Sequence, residues 1–226
     1  MRAAAPAVPE VLPVQGGAFL MGSELGRPDE RPVRSVSVAL FEIAAAPVCN
    51  REYALFLAET AGAPPRFWNA PGHDQPAQPV VGVSWFEAEA YCAWLSELTG
   101  RCWRLPSEPE WERAVRGGLE QAPTPWGETL PAGEIPEGAL PGPWPVRRGT
   151  PNGFGLFDPG TVVHEWCRDW YEPPADPPAQ ERSGRRASRG GSWRHRVRWS
   201  SPAARSSLPP SFRYADYGFR PVREAA

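Results

Sequence analysis

The sequence predicts one loop-rich domain of short strands and about three helices, on three observations. Its 30 Pro and 22 Gly make up about a quarter of the 226 residues, so much of the backbone runs in turns and irregular connections. Helix-start signals cluster between residues 50 and 118 and are absent after them. Eleven Trp supply large rings to fill an interior that has few regular layers. A composition of 41% apolar and 22% charged residues suits a folded globular chain, since a disordered one carries few large apolar groups and a strong net charge.

The elements follow in order. Gly16 to Ser23 encloses a short apolar run between glycines, as an opening strand bounded by turns requires. Val36, Val38 and Leu40 then alternate with Ser35, Ser37 and Ala39, the period of a half-buried strand. Asn50 can cap a helix over Arg51–Glu59, with Leu55 and Phe56 inward and Gly62 as its left-handed terminator. Ser84 and Glu87 form a capping box for a second helix whose Trp85, Ala88, Cys92 and Leu95 recur at helical spacing before Gly100. Ser107 and Glu110 repeat the box for a third helix through Val115, closed by Gly117 and Gly118. Beyond Gln121 short apolar pieces separated by Gly, Pro and Asn predict small strands and long loops, with 172–188 as a surface loop. No repeat divides the chain, so residues 1–226 count as a single domain.

The formal net charge is −2, all 24 basic residues are Arg, and the whole-chain field does not favour a polyanion. Locally, Arg182 to Arg205 holds eight Arg and no acid. No stretch approaches 18 apolar residues and the N-terminal pattern is not that of a signal peptide, so the expectation is a cytoplasmic protein without a membrane partner. Cys49, Cys92, Cys102 and Cys167 form no CxxC pair and read as buried free thiols.

Motifs for catalysis fail on spacing. His164-Glu165 lacks a second His four residues on, where Arg168 stands, and His73 and His195 have no His nearby in sequence, so no metal triad is visible. Gly190-Gly191-Ser192 is neither a nucleophile elbow nor a phosphate loop. Glu108, Glu110 and Glu112 sit at a helix N-terminus, where the macrodipole favours acids, so capping explains them. The informative stretch is Arg189–Arg220, in which Trp, Tyr and Phe interleave with Arg and Ser under no strand or helix period. That is the composition of paratopes, and burying one exposed Tyr or Trp offers roughly 4 to 6 kcal/mol before association costs.

Runs spread over nearly the whole chain resemble the formylglycine-generating enzyme (sulfatase-modifying factor) family: Gly16–Ser23, Pro79–Trp85, Ala90–Leu95, Arg104–Glu108, Glu110–Glu112, Pro125–Gly127, Asn152–Leu156, Glu165–Cys167, Arg189–Trp193 and Gly218–Arg220. The resemblance implies a C-type-lectin-like α+β domain. It does not carry the family's chemistry, because those oxidases bind copper through a cysteine pair after the Gly-Gly-Ser motif and this chain has no Cys after Cys167. Family members also hold calcium through an Asn and a Glu, and here Thr161-Val162 stand where Gly-Asn is expected, leaving Glu165 without that amide partner.

The C-terminal segment resembles the variable region of the variable proteins of diversity-generating retroelements. In those proteins adenine-directed mutagenesis rewrites a stretch between Gly-Gly-Ser-Trp and Gly-Phe-Arg; here that stretch is 194–217. Ala203, Arg205, Pro210 and Arg213 resemble its fixed framework, and most other residues are types reachable from an Asn codon by changing adenines, Trp199 being a departure. The resemblance implies a non-catalytic, cofactor-free display protein. It would bind a protein or other macromolecule through Arg194, His195, Arg196, Trp199, Ser206, Leu208, Phe212, Tyr214, Ala215, Asp216 and Tyr217 on a shared outer face. Two alternatives stand beside it: a divergent metal-dependent oxidase of the formylglycine-generating type, and a nucleic-acid binder using the Arg run with Trp193 and Trp199 as stacking platforms.

Overall fold

A computed structural model describes residues 8–134, 140–172, 184–195 and 201–225. Among these residues three α-helices, short strands and long connections form an α+β architecture, as the sequence predicts.

Strand β1 (Val11–Val14) pairs with β4 (Phe41–Ala44), and β2 (Gly17–Met21) with β3 (Arg34–Val38) forms a separate hairpin. Helix α1 (Asn50–Thr60) begins one residue earlier than expected: Cys49 is the N-cap, and the Glu52 carboxylate accepts from its N–H at 2.8 Å. Asn50 is freed from capping and its side-chain amide donates to the carbonyls of His73 (2.7 Å) and Gln75 (3.0 Å), stapling the Pro-rich loop to the helix. The left-handed residue after α1 is Ala61 (φ 51°), not Gly62, because the helix runs through Thr60.

Helix α2 (Trp85–Thr99) and α3 (Glu108–Val115) start at the two capping boxes read from sequence, Ser84 with Glu87 and Ser107 with Glu110. Gly100 (φ 66°) ends α2 and donates its N–H to Ser96 at 2.9 Å, the left-handed cap that only glycine adopts without strain. Tyr91, Cys92 and Leu95 of α2 pack with Tyr53, Phe56, Trp103, Trp166, Tyr217 and Phe219 in an aromatic core. Tyr53 and Tyr91 stack at 5.6 Å, and Phe219 meets Tyr91 edge-on at 5.3 Å.

Strands β5 (Trp103–Arg104), β6 (His164–Trp170), β7 (Arg186–Arg189), β8 (Arg205–Leu208), β9 (Tyr217–Gly218) and β10 (Val222–Glu224) complete two four-stranded sheets, ordered β1-β4-β10-β5 and β8-β7-β6-β9. The second corrects the expectation of a surface loop to residue 188: β7 pairs with β6 and β8, and Ala187 and Ser188 are buried. Its terminal residues Arg186 and Arg189 are held by rings and carboxylates, described below. No helix among the described residues is long and apolar enough to cross a membrane. Cys49, Cys92 and Cys167 are buried free thiols as expected, whereas Cys102 is exposed in the turn after α2.

Candidate functional site

The segment from β8 to β9 runs out along the start of α2. Trp85 N–H donates to the Pro210 carbonyl (3.0 Å), and the Arg213 guanidinium grips Glu87 at 2.9 and 3.1 Å. Gly82 N–H donates to the Tyr214 carbonyl (3.0 Å), so both flanks of the turn are tied down. Between these ties Phe212 and Tyr214 are each 44% exposed, with ring centroids 6.0 Å apart. Phe86, next to Glu87 on α2, is 56% exposed and meets Trp85 edge-on. Beyond it the Arg186 guanidinium is sandwiched between Trp85 (3.8 Å) and Trp170 (3.7 Å), a double cation–π contact. Linked contacts thus run from Trp170 through Arg186 to Trp85 and Phe86, and Trp85 and Glu87 join that helix start to Pro210 and Arg213 of the turn. Leu208 is half-buried against the aromatic core.

Other residues assigned to this face lie elsewhere. Ala215, Asp216 and Tyr217 are buried, which corrects their expected outward placement. The parallel pairing of β9 with β6, His164 opposite Tyr217, draws them in. The Tyr217 hydroxyl lies 2.6 Å from Ser206 Oγ and within 3.5 Å of Ser188 Oγ, and burial raises its pKa. Arg194 and His195 are exposed, Arg194 lying over the Trp193 ring at 5.0 Å. Arg196 and Trp199 lie outside the described residues.

Among the described residues of the Arg run, Arg185, Arg186, Arg189 and Arg205 are engaged by the protein's own groups. Arg189, 1% exposed, bonds Glu112 and, at 3.1 Å, Glu108. Arg205 takes Glu108 through two bonds of 2.9 and 2.7 Å, and Arg116 takes Glu112 at 2.6 Å. Burial alone would raise the Glu108 pKa, but Arg189 and Arg205 together hold it below the ordinary value. Of the trio at the start of α3 only Glu110 caps, which corrects the reading of Glu108 and Glu112. Arg185 bonds the Ser207 hydroxyl and carbonyl, and of the described Arg between 182 and 205 only Arg194 is exposed. The Glu165 carboxylate is fully buried, with both oxygens held by Arg220 at 3.1 Å and one also accepting from Trp111 Nε1 at 2.7 Å.

A pocket of about 860 Å³ opens beside this network, lined among others by His164, Gly190, His195, Ala203, Arg205 and Ser206. Side-chain ligand atoms of His164, His195 and Asp216 all lie within 4.8 Å of one another there. Sequence reasoning missed this group because its members come from β6, the turn after β7 and the approach to β9, and no local spacing announces it.

The fold and the buried core of glycine-flanked turns define an α+β protein of the C-type-lectin-like and formylglycine-generating-enzyme type. The sulfatase-modifying factor enzyme 1-like domain matches residues 1–225, and the chain belongs to that family. It is 32% identical to a formylglycine-generating enzyme of Thermomonospora curvata over 92% of this chain and 91% of that protein. It is also 32% identical to a mouse protein named inactive Cα-formylglycine-generating enzyme 2, over 82% of this chain and 74% of the mouse protein. The family therefore includes proteins named as enzymes and proteins named inactive. Among solved structures, variable protein 1 of Treponema denticola superposes with a TM-score of 0.79 at 21% identity, covering 95% of each chain, a likeness of fold.

Proposed function

We propose that this chain is a recognition protein that binds a macromolecular ligand through the 206–214 turn and the adjoining start of α2, and that 194–217 is a variable region of the diversity-generating retroelement kind. The observation that carries the reading is the pair of exposed rings, Phe212 and Tyr214, displayed between two pinned ends. The four positions read as fixed framework each have a structural task. Ala203 is buried, Arg205 holds Glu108, Pro210 accepts from Trp85, and Arg213 holds Glu87. Substitution at Ser211, Phe212 or Tyr214, all exposed, would change the surface without disturbing those tasks.

The binding mode fits rigid aromatic anchors beside adaptable hydroxyls. The nucleic-acid alternative loses ground because carboxylates, rings and a hydroxyl already engage Arg185, Arg186, Arg189 and Arg205. The test is to sequence the codons for 194–217 in many cells of one lineage and to search the locus for a second near-copy with adenines at the varied positions. Substitutions confined to the exposed positions, with such a copy beside a reverse-transcriptase gene, are expected. An invariant segment with no near-copy would overturn the retroelement reading.

A further inference from the structure

Asp216 differs from the other buried carboxylates around it. Glu108, Glu112 and Glu165 each face at least one guanidinium, whereas Asp216, 7% exposed, has no cationic partner among the described residues. Among the described residues its side chain accepts a hydrogen bond from the neutral Ser192 hydroxyl, at 3.1 Å on Oδ2. A buried anion with so little compensation is costly unless a cation joins it. The nearest chemistry is two imidazoles.

His164 is buried on β6, and its Nδ1 lies 2.7 Å from the Gly190 carbonyl, which can only accept, so Nδ1 carries the hydrogen. That bond fixes the tautomer in which Nε2 keeps its lone pair, the arrangement typical of a metal-binding imidazole. Gly190 can present its carbonyl there because its backbone is left-handed (φ 78°) and an added Cβ would lie 2.7 Å from Gly160 Cα. His195 completes the group from the exposed turn, its ring centroid 5.0 Å from that of His164, with its own N–H donating to the Ser192 carbonyl at 2.8 Å.

We propose that His164, His195 and Asp216 form a binding site for an imidazole-seeking divalent transition ion such as Zn²⁺ or Fe²⁺. Two His and one carboxylate are a ligand set that suits both ions and leaves coordination positions open. Bonds of about 2.0 to 2.2 Å require ligand atoms roughly 3 to 3.5 Å apart. The present spread, within 4.8 Å, is wider than that, so binding an ion would draw the ligand atoms together, and His195 is the exposed member of the three. His164 and His195 also line the pocket, so the open positions of the ion would face space for a small exogenous ligand. The site uses no cysteine and neither exposed ring of the aromatic turn, but His195 and Asp216 belong to the 194–217 segment; metal titration reads the site separately from ligand binding by Phe212 and Tyr214.

The test is titration of the chelator-stripped full chain with Co²⁺, followed by its visible absorption, with Zn²⁺ as competitor. One equivalent should bind. Both His195→Ala and Asp216→Asn should weaken binding at least about tenfold with an unchanged circular dichroism spectrum, since even outer partners of metal ligands are worth that much. His195 is exposed, so its removal leaves the fold intact, and Asn keeps an acceptor for Ser192. His73→Ala, at a His outside the cluster, should leave affinity unchanged. Absence of stoichiometric binding, or binding that His195→Ala and Asp216→Asn leave unaltered, would overturn the proposal.

Discussion

Two parts of the C-terminal half share one composition and have opposite fates. Around β7 and the start of α3, buried Arg189 and Arg116 and half-buried Arg205 are paired with Glu108 and Glu112. Around the 209–214 turn, Arg213 and its two aromatic neighbours face solvent. The difference lies in what faces the side chains: two carboxylates of one helix offer four oxygens to three guanidiniums on the inner side, and Glu87 alone faces the outer turn. Arg is retained in both places, as scaffold in one and as the edge of a surface in the other. Its planar fork suits both tasks.

That contrast can be broken most forcefully at Arg189. Arg189→Ala should cost about 3 to 5 kcal/mol, because it strands buried carboxylate charge, and urea denaturation reads the loss directly. Glu108→Gln should cost less at neutral pH, about 2 to 3 kcal/mol for charge-assisted hydrogen bonds weakened. Because the folded pKa of Glu108 lies below its ordinary 4.5, its stabilisation is fully present above pH 4.5 and lost as pH falls through the folded value. The gap between wild type and Glu108→Gln should therefore narrow on acidification below 4.5; a constant gap would mean the pair contributes no titrating stability. Tyr217→Phe removes the hydroxyl beside Ser206 and should cost about 1 kcal/mol. At the outer turn, Phe212→Ala and Tyr214→Ala should each stay within about 0.5 kcal/mol of wild type in stability. A loss comparable to that at Arg189 would place those rings in the scaffold.

The helices were legible because their signals are local. Ser84 with Glu87, Ser107 with Glu110 and Gly100 each act within one turn of backbone, so spacing alone reveals them. The fold class followed from residue runs spread over the chain, and the aromatic turn from its mixture of rings, Arg and Ser. Strand β7 was hidden because both of its terminal residues are Arg, and only a fold that brings Trp85, Trp170, Glu108 and Glu112 to them makes that strand interior. Burial of Tyr217 and Asp216 was hidden for the same reason, since parallel pairing with β6 depends on residues more than fifty positions away. The His164, His195 and Asp216 group is likewise a product of topology. Asn50 and Ala61 show the smaller error of cap reading, a shift of one residue at each end of a correctly placed helix.

One consequence follows from strand order. The turn that displays Phe212 and Tyr214 runs from β8 at one edge of its sheet to β9 at the opposite edge, and only after β9 does the chain enter β10 in the middle of the other sheet, between β4 and β5. It is a span resting on two separate abutments, so exchange of its outermost residues resembles resurfacing a bridge deck: the traffic it admits can change while the piers stay where they were.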